Sequence, residues 1–314
     1  MPKQVATRVL ATVPVILGIV LMAFVLMRLV PGDVVDAMLA DSAQDPVVAA
    51  ELRRVFGLDR PAPVQLLDYL GGLARGDLGT SLRTGRPVLE EIGARLPATL
   101  ELTLAALLVS LTIAIPSGVI SATRRDRIPD YIARAVSLVG LSVPNFWLGI
   151  LLITLFAVQL RLLPSGGFAS FSDPAANLKL LIMPAVTLGA SIAAVTMRMT
   201  RSSLLEVLEQ DYVRTARSKG LQERAVIYGH ALRNALIPVV TILGIQAGRL
   251  LGGTVVVEQV FGWPGIGSMV VRAISQRDYP LLQGSVVFLA LTFVLVNLVV
   301  DILYLYLDPR LRRG

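Results

Sequence analysis

The chain has 314 residues, of which 54% are hydrophobic and 16% charged, and its formal net charge is +7. So small a charged share, set beside long apolar runs, excludes an ordinary soluble domain, in which about a quarter of residues carry charge, and points to lipid as the solvent. With no cysteine and one histidine, His230, the chain lacks a disulfide framework and the ligands for a zinc or haem centre, so no cofactor is expected, and arginines gathered at the ends of apolar runs are topogenic charges rather than the mark of a nucleic-acid partner.

A spanning helix needs about 20 predominantly apolar residues. Six segments meet that need: 9–30, 99–122, 131–160, 180–199, 236–260 and 281–304. The expected fold class is therefore an all-α integral membrane protein with six transmembrane helices. The first run is too long for a signal-peptide core and no small-residue cleavage site follows it, so residues 1–30 form a cytoplasmic segment and a retained anchor. Residues 31–97 make a long external loop of mixed charge. Within it, 46–58 (PVVAAELRRVFGL) reads as a short amphipathic helix stopped at Gly57, and 64–73 as a second. Residues 98–305 are the five-helix core, and 306–314 a cytoplasmic tail.

In the third segment Pro144 removes a backbone donor and clashes with the preceding turn, predicting a kink or a break. The neighbouring Asn145 either lines a translocation route or caps a freed carbonyl. Six spans place both termini on one side, and short basic segments choose it. Lys3, Arg8, Arg124, Arg125, Arg127, Arg214, Arg217, Lys219, Arg224, Arg233, Arg310, Arg312 and Arg313 all fall on that side, expected to be the cytoplasm. The opposite short loops carry only Arg161 with Lys179 and Arg272 with Arg277. At the inner end of span four, Arg198 and Arg201 read as snorkelling, with Asp301 a partner for either.

The cytoplasmic segment, about 202–235, carries an apolar stripe of Leu205, Leu208, Tyr212 and Ala216 at helical spacing. Glu206, Gln210, Arg214 and Arg217 occupy the other face. Gly220 ends this helix after a basic turn, and a second helical pattern runs from Glu223 into span five. The result is a helix–glycine–helix knuckle, which periodicity leaves as either a connector lying on headgroups or a docking element.

In span five, Arg249 is costly at mid-membrane and faces a pore, pairs with an acid or snorkels. Gln246, three residues earlier, shares its face. Gly244, Gly248 and Gly252 allow a close helix approach, either to a second subunit or within the chain. The span closes on Glu258, Phe261, Trp263 and Pro264 among glycines, a pattern for a re-entrant plug or an interfacial aromatic anchor.

Residues 211–220 (DYVRTARSKG) and 230–238 (HALRNALIP) resemble the cytoplasmic signature loop of ABC importer permeases, in the dipeptide, oligopeptide, nickel and glutathione branch. Further matches lie in order along the chain: LVPGD at 29–33, GDLG at 76–79, VPNFWLG at 143–149, VVEQVFGWPGIG at 256–267 and DPR at 308–310. The family's Glu-Ala-Ala triplet falls on Arg214, Thr215 and Ala216 and its glycine on Gly220, so two triplet residues are replaced; the family's terminal proline position falls on Arg233.

The resemblance implies a type I ABC importer permease fold in a bacterial inner membrane. It implies a coupling helix in which Arg214, Thr215, Ala216, Arg217, Lys219 and Gly220 meet an ATPase. Within such a fold the in-span residues read above, Asn145, Gln246 and Arg249, are the candidates for the translocation path, and Glu258, Phe261, Trp263 and Pro264 those for an outer gate. The implied partners are a second homologous permease, two ATP-binding subunits and an extracytoplasmic solute-binding protein. No Gly-Lys-Ser/Thr phosphate loop can be drawn from Lys3, Lys179 and Lys219, so hydrolysis belongs to other chains and the protein is not itself an enzyme. The competing reading, an ion-coupled secondary transporter, calls for mid-membrane acids and paired broken helices, whereas Glu101, Glu258 and Asp301 sit near span ends. An intramembrane hydrolase has no constellation to draw on beyond His230.

Overall fold

A computed structural model describes residues 2–29, 34–39, 46–55 and 57–307. Most of the LVPGD motif and all of the DPR motif, with the tail from 308, lie outside the described residues. In chain order the helices are α1 (Pro2–Leu29), α2 (Val34–Leu39), α3 (Pro46–Val55), α4 (Ala62–Ala74), α5 (Val88–Thr123), α6 (Ile128–Ser142) and α7 (Asn145–Leu152), the last continued by a π-helical stretch, Ile153–Gln159. There follow α8 (Pro174–Leu208), α9 (Asp211–Ser218), a π-helical stretch Ala225–Ala231 leading into α10 (Leu232–Gly253), α11 (Val255–Phe261), α12 (Ile266–Ser275) and α13 (Tyr279–Leu307).

Among the described residues, five helical stretches are long and apolar enough to cross a bilayer, in α1, α5, α8, Ala225–Leu251 and α13, and a bent pair makes the sixth. The bend, 102° between α6 and the helix beginning at Asn145, falls at Pro144. Val143 (φ −80°, ψ 121°) and Pro144 (φ −62°, ψ 136°) are both extended. A proline ring drives the residue before it out of the helical region, so the outcome is a break and not a kink.

Span five departs from the single helix expected over 236–260. It stops at Gly253, and α11 starts afresh after Thr254, whose Oγ1 donates to Glu258 Oε1 at 2.6 Å. A pair of glycines at the end of α10 weakens the helix there, and the threonine–glutamate bond closes the first turn of the next. Span two begins at Val88, well before its apolar run, with Glu90 and Glu91 in the first turn, where the helix dipole favours negative charge.

The chain divides into two compact units. In the unit made of Pro2–Thr99 and Pro264–Leu295, α3 closes through Leu58 N–H to Arg53 O (2.8 Å) and Gly57 N–H to Arg54 O (3.1 Å), with Gly57 at φ +64°, the bonds of a glycine C-cap. Tyr69, Leu70 and Leu73 of α4 pack on Val20, Ala23 and Val287, so this loop helix lays its apolar face along spanning helices. The buried Asp278 accepts from Ser81 Oγ (2.5 Å), Leu82 N–H (3.2 Å) and Leu281 N–H (3.2 Å). It thereby caps α13 and pins the turn before α5.

In the unit made of Leu100–Trp263 and the described residues from Val296, α5 and α8 run parallel in close contact. A Cβ on Gly118 would stand 2.7 Å from Thr200 Cβ, and one on Gly189 2.8 Å from the Ala106 carbonyl oxygen. Membrane helices approach closely where small residues permit. Gly244 presses on Val300 of α13, so this glycine serves packing inside the chain.

Candidate functional site

The apolar stripe expected over 205–216 crosses a break. Helix α8 ends at Leu208, Gln210 is extended (φ −71°, ψ 149°), and α9 begins at Asp211. Spacing continues in register across the turn, which is why periodicity reads one helix. In α9 the buried side is Val213 and Ala216, enclosed with Val119, Ala122, Leu204, Val226, Ala231 and Ala235, while Tyr212 is exposed and its hydroxyl accepts from Asn234 Nδ2 at 2.7 Å.

Ala216 therefore points inward and fastens the knuckle to α5 and α8. Arg214, Thr215, Arg217, Lys219 and Gly220 form the outer face. Arg217 bonds Glu223 through both Nη2 (2.7 Å) and Nε (3.2 Å), closing the turn after the helix. Beside that guanidinium, the Glu223 carboxyl is held below the usual glutamate range and Arg217 is raised. Gly220, at φ +76° with open space where a Cβ would stand, turns the chain in the left-handed region that glycine enters without steric cost.

The path candidates lie apart in sequence and element. Asn145 is half-buried at the first position of α7, and no side chain caps that helix start. The bend leaves an apolar hollow of about 490 Å³ between Leu138, Val139, Val143, Pro144, Phe146 and Trp147. Gln246 and Arg249 do share a face of α10, with Arg249 Nη1 3.4 Å from Gln246 Oε1, and the arginine is exposed.

At the end of span five the aromatic residues are enclosed. Glu258 is 0% exposed, and Phe261 and Trp263 are 1% exposed. The helix closes at Gly262 (φ +62°), with Trp263 N–H bonded to Glu258 O (2.8 Å) and Gly262 N–H to Gln259 O (3.3 Å), the paired bonds of a Schellman cap. Gly149 of α7 meets the Phe261 ring, 3.1 Å from an ideal Cβ. Gly167 N–H donates to Phe261 O at 2.8 Å, and Phe168 sets its ring edge-on to Trp263, centroids 5.1 Å apart. Two motifs distant in sequence, VPNFWLG and FGWPG, thus build one seam, and the Gly166–Gly167 pair that completes it was not foreseen. The neighbouring Pro264 begins the segment leading into α12.

Sequence reading also missed Asp130. Arg201, expected to snorkel, instead grips this aspartate through Nε (2.8 Å) and Nη2 (2.9 Å). The reason is geometric: the first turn of α6 delivers a fully buried carboxylate to the C-terminal part of α8, and a buried carboxylate requires a partner.

Comparison with known proteins gives a consistent result. A family model described as "binding-protein-dependent transport system inner membrane component" matches residues 114–313, and a companion described as "binding-prot-dependent transport system membrane comp, N-term" matches residues 1–103. The di/tripeptide transport system permease protein DppB of Pseudomonas aeruginosa is 45% identical, covering 98% of each chain. The glutathione transport system permease protein GsiC of Salmonella typhimurium is 42% identical over 99% of each, and the dipeptide permease DppB of Escherichia coli 41% over 96% of each. Among solved structures, the inward-facing MetNI methionine ABC transporter aligns with a TM-score of 0.56 at 19% identity, covering 70% of this chain and 97% of that one.

Proposed function

Since the chain belongs to the ABC-importer permeases of the binding-protein-dependent inner-membrane family, with six transmembrane helices in the type I fold, we propose that it forms one half of the pore of an ATP-driven importer for short peptides or glutathione-like solutes. The observation that carries this reading is similarity of 41–45% identity along nearly the whole chain to permeases of dipeptide and glutathione transport systems.

One of two ATP-binding chains docks on the exposed face of α9 and its Gly220 turn, the other on the corresponding face of the partner permease. A second homologous permease completes the pore, and an extracytoplasmic solute-binding protein delivers the solute. Both termini are cytoplasmic, because the arginine-rich short segments all fall on their side. Nucleotide-driven closure of the ATPases moves the knuckle, and the buried Val213 and Ala216 pass that motion to α5 and α8 as a rigid-body shift. Asn145, Gln246 and Arg249 face the path, and the Glu258–Trp263 seam with Pro264 forms the outer gate. For coupling, nucleotide and solute must each bias the same inward and outward states.

The test is reconstitution of this chain with its partner permease, ATPases and binding protein in proteoliposomes. ATP-dependent uptake of a labelled dipeptide or glutathione supports the proposal. Uptake by this chain alone, driven by an ion gradient without ATP, refutes it.

A further inference from the structure

The carboxylate of Asp130 is 0% exposed. Its Oδ1 accepts from Ser121 Oγ (2.5 Å) and Arg201 Nε (2.8 Å), and its Oδ2 from Arg201 Nη2 (2.9 Å) and the Asp126 N–H (3.0 Å). Arg134 Nε lies 3.4 Å from Oδ1, and its guanidinium sits over the Tyr131 ring. One side chain thus ties together α5, the 124–127 turn, α6 and α8. Arg201 is itself mostly buried, its side chain 18% exposed, so the fork-to-carboxylate pair is shielded from screening.

A buried ion pair is a poor device for stability alone, since apolar residues of the same volume often do as well. What it supplies is a single geometry, because a bidentate pair is directional. Its position gives that geometry a use. Leu204, one turn beyond Arg201, packs in the cluster that holds Val213 and Ala216 of α9. On the same turn, Arg125 pairs with Glu209 (3.9 Å) at the junction between α8 and α9. Leading away from Asp130, α6 runs to the Pro144 bend. The apolar cluster that encloses α9 contains no residue of α6. Farther from the knuckle, α6 packs on α5 and α8 through Ala133, beside Ala114, Ala193 and Met197, and through Gly140, beside Ala194, contacts that lack the directionality of the ion pair.

We propose that the Asp130–Arg201 pair is the positioning element that fixes the knuckle end of α6 in one geometry on α5 and α8, so that displacement of the knuckle reaches the Pro144 bend. This rests on the importer reading above. Removing the charge should leave the complex assembled and hydrolysing ATP while the bend responds weakly.

The test uses the complete reconstituted importer, with solute taken up per ATP hydrolysed as the readout. Asp130→Asn keeps the shape and removes the charge; its ratio should fall at least about fivefold, the lower range of allosteric coupling. Arg201→Lys keeps the charge without the fork, and its ratio should lie between those of the wild type and Asp130→Asn. Met183→Ala, a buried cavity variant remote from the pair, controls for lost stability and should keep the wild-type ratio. Co-purification of the ATPase chains reports assembly separately. An unchanged ratio in Asp130→Asn, or an equal fall in Met183→Ala, overturns the inference while leaving the importer reading intact. Absence of ATP-dependent uptake in the wild-type complex overturns that reading, and this inference with it.

Discussion

Gly166 offers a sharp test of the seam at the end of span five. An alanine there would set its Cβ 2.9 Å from the Phe261 carbonyl carbon, and nearer still to the oxygen, well inside the roughly 3.5–4.0 Å of comfortable contact. Phe261 has no room to retreat, being 1% exposed with its ring against Gly149. The 164–168 segment must therefore lift. That breaks the Gly167 N–H bond to Phe261 O, worth about 1 kcal/mol net and more if the carbonyl is left unpaired. It also disturbs the Phe168–Trp263 edge contact, worth about 0.5–1.5 kcal/mol. Gly166→Ala should thus destabilise by about 2–4 kcal/mol, read by denaturant unfolding in mixed micelles. Gly229→Ala is the control: a helical glycine with nothing within 4 Å of its ideal Cβ, where alanine should be neutral or stabilising by up to about 1 kcal/mol. Proteoliposomes carrying Gly166→Ala should also leak a trapped dipeptide faster. Equal stability of the two variants, with no added leak, would refute the reasoning.

The contact between α5 and α8 predicts opposite signs for two alanines. Gly189→Ala, which meets Ala106 and Val109, should lose about 1–3 kcal/mol to overpacking, whereas Gly93→Ala, in open space on α5, should gain a fraction of that from helix propensity; unfolding midpoints measured side by side decide it. The Arg217–Glu223 pair predicts a pH signature. Glu223 titrates below its ordinary range, chiefly through its bond to Arg217, so its contribution is present at neutral pH and is lost as pH falls through that lowered value. With side chains 40% and 57% exposed, the effect is screened to below about 1 kcal/mol. Wild type and Glu223→Gln should therefore differ slightly at pH 7 and converge at low pH; a difference that grows on acidification contradicts the pairing.

The spans were readable because a bilayer demands both length and internally satisfied backbone, and apolar runs display both. An interruption at Pro144 was legible as a kink or a break, and the extended backbone of Val143, which the proline ring forces, makes it a break. Other features depend on partners that a linear reading does not bring together. A charge at a span end looks alike whether it snorkels or is paired, and Asp130 stands 71 positions from Arg201. Aromatics near a membrane surface suggest an exposed anchor, and only the glycines at 149, 166 and 167 reveal that Phe261 and Trp263 are enclosed. The helix–glycine–helix outline of the knuckle was legible, yet the inward aim of Ala216 depends on the turn at Gln210. A stripe that stays in phase across that turn conceals it.

The central claim, that the exposed face of α9 receives a separate ATPase, is open to direct measurement because the chain contains no cysteine. A single cysteine at Arg214 or Lys219, both exposed, gives this chain one thiol at a known position for a short cross-linker in inner-membrane vesicles containing the assembled importer. The account predicts capture of an ATP-binding chain from either position, and none from a cysteine at Val158, exposed beyond the Pro144 bend. Capture from neither knuckle position, or equal capture from Val158, would contradict it.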